Sequence, residues 1–194
     1  MTHAAETIKQ LREATGAGIV DVKQALDEAG GDVKKATEIL RVKGVGSSAK
    51  KAHRMAGEGT IGSYVHTDGK TGALVTLACE TDFVARTQDF QDLAHDVALH
   101  IVAANPEYLS RADVPADIVE QERTIARESV TGDKPDAVIE KIVEGKLSKF
   151  YTDHCLLDQL FVKDDNVTIA AFIEQAVAKL GEKIELRAFV RFVI

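Results

Sequence analysis

Cys79, His66 and Asp82 are the residues from which this sequence could assemble a nucleophilic site. A thiol nucleophile needs a base within hydrogen-bond reach. The apolar residues 73–79 read as a strand, and residues 61–66 as its hairpin partner across a turn at 67–70 containing Asp68-Gly69. That geometry puts His66 near the turn and Cys79 at the far end. At about 3.4 Å per residue they stand some 20 Å apart, too far for a hydrogen-bonded pair. The second cysteine, Cys155, forms no CxxC motif with the first, and no disulfide framework is expected. Cys79 reads as a small packed hydrophobe.

Three further patterns bear on the chemistry. Residues 57–62 match G-x-G-x-x-G, but the dinucleotide fingerprint requires a strand before the glycines and a helix after them. Here a basic segment precedes and a strand follows, so no dinucleotide site is expected. His95 and His100 lie about 140° apart around a helix and share no face for a metal; both read as surface imidazoles. Lys50, Lys51, His53 and Arg54 form a basic run without an aromatic, which reads as a solvated face rather than a nucleic-acid site. No metal and no cofactor are expected.

The stretch with the clearest binding character is Glu80-Thr81-Asp82-Phe83-Val84-Ala85-Arg86. It joins the strand at 73–79 to a helix beginning near Thr87. Binding residues concentrate on loops held by a rigid scaffold. The competing reading has Thr81 or Asp82 capping a turn and Phe83 filling the core.

Composition limits the function classes. The 194 residues are 45% hydrophobic and 28% charged, with 5% aromatics and no Trp, so aliphatic side chains must build the core. Residues 1–57 carry ten Lys/Arg against seven Asp/Glu, a net +3; residues 58–194 carry fourteen against twenty-four, a net −10. An acidic body argues against general nucleic-acid binding and favours a basic partner. The chain has no 18-residue apolar run and no apolar N-terminal segment of the signal-peptide kind. The expected compartment is the cytoplasm, with no membrane partner.

The positioning elements follow from periodicity. Residues 1–43 read as a three-helix head: Ile8 and Leu11 on the first helix; Val22, Ala25, Leu26 and Ala29 on the second, ending at Gly30-Gly31; Val33, Ala36, Ile39 and Leu40 on the third, with Asp32 as its cap and Gly44 as its end. Ile19-Val20, after a glycine turn, either docks on a partner or staples the helix start. Residues 44–59 read as a basic linker. Residues 60–194 read as an α+β core. In it the hairpin is followed by a helix bearing Phe90, Leu93, Ala94, Val97, Ile101 and Val102, which stops at Asn105-Pro106. Two charged helices open at Pro115 and Pro135, a turn falls at 163–166, and a helix runs from about Thr168 to Gly181. The final strand is expected to hold Ile184, Leu186, Ala188, Val190, Phe192 and Ile194 on one face and Glu185, Arg187 and Arg191 on the other. The expected fold is a small antiparallel sheet covered by helices on one side. Its polar face and open edges are candidates for a second copy of the chain.

These pieces resemble the elongation factor Ts family. The matching stretches are residues 11–21 (Leu-Arg-Glu-Ala-Thr-Gly-Ala-Gly-Ile-Val-Asp), Gly31-Asp32, Lys50-Lys51-Ala52, residues 79–86 (Cys-Glu-Thr-Asp-Phe-Val-Ala-Arg), Glu144-Gly145-Lys146 and residues 157–162 (Leu-Asp-Gln-Leu-Phe-Val). The resemblance implies a ubiquitin-associated-like head. It also implies a role in translation elongation as a guanine nucleotide exchange factor for elongation factor Tu, with no covalent chemistry of its own. Thr81, Asp82, Phe83 and Val84 would dislodge the Mg²⁺ of the GTPase; Leu11, Arg12, Thr15, Gly16, Ala17, Gly18, Ile19 and Val20 would dock the head on it. Longer family members carry a second sheet-bearing half-module, so a chain this short is expected to form a homodimer. Leu160 stands where the family usually has Pro, and Ile19-Val20 where it usually has Met. The alternative function is a non-catalytic adaptor that uses the head as a protein-binding module.

Overall fold

The computed structural model describes residues 5–15, 17, 19–40, 54–132 and 134–194. Gly16, Gly18, the expected helix end at Gly44 and the basic residues Lys50, Lys51 and His53 lie outside the described residues.

The head is built from α1 (Ala5–Thr15), α2 (Ile19–Glu28) and α3 (residues 33–40). Gly30 and Gly31 adopt φ of 62° and 88°, the left-handed region that ends a helix without Cβ strain. The Asp32 carboxylate then accepts from the amides of Lys34 and Lys35 at 2.9 and 3.2 Å and caps α3. Leu11, Val22, Ala25, Leu26, Ala36 and Leu40 form its buried centre.

A second core is organised by a three-stranded antiparallel sheet of order β1-β2-β5, with β1 at Glu58–Val65, β2 at Thr71–Cys79 and β5 at Glu185–Val193. The short helix α4 (Asp82–Ala85) and the long α5 (Gln88–Ala104) follow β2. Helix α5 crosses β1 and β2 and brings Phe90, Val97 and Ile101 onto Val75 and Leu77. Gly62 makes this approach possible: a Cβ there would sit 2.6 Å from the Ala94 carbonyl oxygen and 2.7 Å from the Ala94 Cβ. At its far end α5 stops on Asn105 in the left-handed conformation, before Pro106.

Helices α6 (Ala116–Glu128) and α7 (Asp136–His154) each follow a proline and pack together through Ala126, Val143 and Leu147. After a 3-10 turn at Leu156–Asp158 comes a two-stranded sheet of β3 (Leu160–Phe161) and β4 (Asp164–Thr168). Most of β4 lies where the sequence predicts a turn; the polar run Asp164-Asp165-Asn166 hides a strand whose pairing comes from Leu160 opposite Thr168. Helix α8 (Ile169–Leu180), capped by the Thr168 hydroxyl, closes the same core over α5 and ends on Gly181 at φ 79°.

Two further expectations are corrected. First, β5 does not keep one apolar face. Thr76 faces Ala188 while Leu77 faces Leu186, so β5 holds one extra residue, a bulge at Arg187. Ile184 and Leu186 point into the core before it. Beyond it Phe189 and Arg191 take the inner side, opposite the inward-facing Val75 and Ala73, and Ala188, Val190 and Phe192 turn outward. The outer face of the sheet is therefore apolar rather than polar. It exposes Ile61, Val65, Leu74, Val190 and Phe192, with Phe192 61% accessible. Second, His100 is no surface imidazole but is fully buried. The Val162 amide donates to its Nδ1 at 3.3 Å, and its Nε2 lies 3.0 Å from Gln159 Oε1. A backbone N–H can only donate, so the ring is neutral with its proton on Nε2. Burial holds its pKa below the ordinary histidine value.

Candidate functional site

The junction after β2 is a short helical turn held on its inner side and open on its outer side. Pairing of β2 ends at Ala78 opposite Glu185 and at Cys79 opposite Glu58, just before Glu80 and Thr81. The amides of these two residues donate to Glu182 Oε2, at 3.1 and 3.0 Å, and the Thr81 hydroxyl donates to Glu182 Oε1 at 2.6 Å. The same hydroxyl accepts from the Val84 amide at 3.4 Å and so caps α4. Thr81 lends its carbonyl to the Cys79 thiol at 3.1 Å and to the Ala85 amide at 3.2 Å. Glu80 reaches back: its Oε1 accepts from the Lys183 amide at 2.6 Å, and Arg54 bridges to it at 3.3 Å.

Ala85 and half-buried Val84 pack on the core below. Phe83 does not join them. Its side chain stands 80% exposed at the outer side of the turn. The reading in which Thr81 caps and Phe83 fills the core is thus half right: Thr81 caps, and Phe83 faces solvent. Asp82 makes an i,i+4 ion pair with Arg86 at 3.0 Å; the Arg86 side chain is largely accessible and that of Asp82 about half so. The turn thus presents an apolar ring next to a carboxylate on a hydrogen-bonded scaffold.

The thiol readings lose ground here. Cys79 is opposite Glu58 while His66 bonds back to Thr71 at the turn, so the two stand at opposite ends of the hairpin. Burial, reinforced by the nearby Glu182 charge, raises the Cys79 pKa, and burial pushes Cys155 up to about 11. Both thiols stay protonated at neutral pH, the inert state. Among the described residues no cluster of three or more His, Cys, Asp or Glu side chains could hold a metal ion. No helix among them is long and apolar enough to cross a membrane.

In the head, Ile19 and Val20 open α2 with their side chains 48% and 77% exposed, and Arg12 is exposed on α1. Thr15 turns its hydroxyl onto the Leu11 carbonyl at 2.5 Å and accepts from Ala17 at 3.4 Å. Leu11 is buried in the head's own centre, so it supports this surface from beneath rather than forming it.

Glu182 was not visible as a site residue in the sequence. It lies 101 positions from Thr81, in a Gly-Glu-Lys connection whose composition signals only a turn. Only the αL ending of α8 at Gly181 hints that the next residue points back toward the sheet.

The family model described as Elongation factor TS matches residues 2–194. Elongation factor Ts of Fervidobacterium nodosum is 54% identical over 195 residues, covering all of this chain and 99% of that protein. The protein of that name from Geobacter metallireducens is 50% identical, covering all of this chain and 90% of its own length. The one from Thermosipho melanesiensis is 48% identical over 98% of both. The chain belongs to the elongation factor Ts family.

Proposed function

We propose that this chain is the guanine nucleotide exchange factor for elongation factor Tu in translation elongation, and that it acts by binding alone. The observation that carries this reading is the turn at 81–84. Phe83 is kept in solvent on a hydrogen-bonded scaffold, with Asp82 beside it. Full burial of a phenylalanine is worth about 1.5–3 kcal/mol, which a free chain forgoes by leaving the ring exposed. A partner recovers it.

On this reading Phe83 and Asp82 wedge between elements of the GTPase domain and displace the groups that position the Mg²⁺ on its nucleotide. Thr81 and Val84 hold the wedge in shape. Ile19, Val20 and Arg12 of the head dock on the same domain and supply affinity away from the nucleotide. Because nothing covalent changes, the protein is a binding factor rather than an enzyme of a chemical reaction. Its effect obeys linkage: the factor by which it weakens GDP is the factor by which GDP weakens it.

Two copies associate through the outer sheet face. Ile61, Val65, Leu74, Val190 and Phe192 form an apolar surface on one side of β1, β2 and β5, and aligned stacking of two such sheets buries it.

The test is the pair of affinities for elongation factor Tu with GDP bound and with the nucleotide site empty. Exchange requires binding to the empty form to be tighter by the same ratio as that by which this protein weakens GDP. Equal affinity for both forms would make the chain an adaptor.

A further inference from the structure

Glu182 belongs to no element that would touch a partner through Phe83, yet its carboxylate takes three hydrogen bonds from the stretch before the exposed ring. A carboxylate only accepts, and here both of its oxygens are used, on the amides of Glu80 and Thr81 and on the Thr81 hydroxyl. The third donor matters most. With its proton committed to Glu182 Oε1, the Thr81 hydroxyl has only lone pairs left to offer, and they meet the Val84 amide. Glu80 returns the bond through the Lys183 amide, so the β2–α4 and α8–β5 connections are stapled in both directions.

We propose that Glu182 is a positioning residue for exchange: it locks the 81–84 turn in the one conformation that presents Phe83 and Asp82 to the partner. This rests on the exchange reading above. Charge-assisted hydrogen bonds are the stronger kind, and three of them converge on a segment of two residues. Without them the turn still leaves β2 at Cys79, but the competent arrangement becomes one of several. The apparent affinity then falls by the fraction of molecules that hold it. The chemistry at the nucleotide is untouched, because the bonds that Glu182 accepts come from Glu80 and Thr81. Glu182 therefore governs how much factor is needed, not how fast the bound complex releases GDP.

The test measures release of a fluorescent GDP analogue from elongation factor Tu against the concentration of wild type, E182A, E182Q and F83A. For E182A the half-saturating concentration should rise about tenfold, with the maximal rate kept within about twofold. E182Q keeps one of the two acceptor oxygens and should fall between, at about threefold. Thr81 shares one bond with Glu182 and keeps its own cap on the Val84 amide, so T81V added to E182A should cost less than it costs alone. Amide hydrogen exchange should quicken at Glu80 and Thr81 while Val75 and Leu77 keep their protection. A wild-type half-saturation for E182A, or a fall in maximal rate at unchanged half-saturation, would overturn the assignment. So would unchanged exchange at the Glu80 and Thr81 amides. Failure of the wild-type protein to release nucleotide would count against the exchange reading instead, and the amide arm would still decide whether Glu182 holds the turn.

Discussion

Replacing Phe83 by Ala separates a binding residue from a core residue. The ring is 80% exposed, so about a fifth of its surface rests on its own chain. At about 1.5–3 kcal/mol for a whole phenylalanine, that contact is worth roughly 0.3–0.6 kcal/mol. Alanine returns a few tenths through its better helix propensity in α4. At about 2–4 °C per kcal/mol for a chain of this size, the melting temperature should move by no more than about 2 °C. The remaining four fifths, roughly 1.2–2.4 kcal/mol, is available only to a partner. Since 1.4 kcal/mol is tenfold, truncation should lower exchange efficiency by about 7- to 50-fold, and more if Phe83 is a hot spot. The control is Phe90→Ala, whose ring is fully buried under α5. It should lose about 3–5 kcal/mol, or about 6–20 °C. The assay is thermal unfolding together with release of labelled GDP from elongation factor Tu. A Phe83→Ala protein that melts 5 °C or more below wild type would make Phe83 a core residue, and one that melts normally and exchanges at the wild-type rate would remove it from the partner contact.

Gly62→Ala should destabilise by about 1–3 kcal/mol, since its Cβ would overlap the Ala94 backbone and push α5 off β1; urea unfolding checks this, and a neutral result would mean that α5 shifts freely. His100 should titrate below the ordinary histidine value, because burial favours its neutral form. The unfolded chain then binds the extra proton first. The stability His100 contributes is present above about pH 6.5 and is lost as the pH falls toward its folded pKa, at up to about 1.4 kcal/mol per pH unit. An imidazole NMR titration giving a pKa at or above the ordinary value would contradict this. Phe192→Asp places a charge on the outer sheet face without touching the core, and should turn the dimer into a monomer in sedimentation while leaving the fold intact; wild-type protein that is already monomeric at micromolar concentration would remove the dimer proposal.

Local signals carried most of the fold. Gly30-Gly31, Asp68-Gly69, Asn105-Pro106, Thr168 and Gly181 each end or start an element for a backbone reason that needs no tertiary context. The hairpin register followed from its Asp-Gly turn and placed Cys79 and His66 at opposite ends. What stayed hidden depended on partners distant in sequence. The alternation from Ile184 to Ile194 reads as one face, but β2 imposes a bulge at Arg187 and turns the second half outward. His100 sits at a polar-looking position that α5 buries against Gln159 and Val162. The exposure of Phe83 could not be told from burial by residue type, since aromatic rings favour cores. It follows from a turn whose inner positions are already taken by Val84 and Ala85 and whose conformation is set by Glu182, 101 residues from Thr81.

The central claim is exchange on elongation factor Tu by a factor that is not consumed. Its most direct test is release of a fluorescent GDP analogue from elongation factor Tu in excess unlabelled nucleotide, with the wild-type chain present at a small fraction of the GTPase concentration. All of the bound analogue should leave, faster in proportion to the factor added, so that each copy serves many GTPases. Release at the unassisted rate by folded protein, or release that stops after one equivalent, would contradict it.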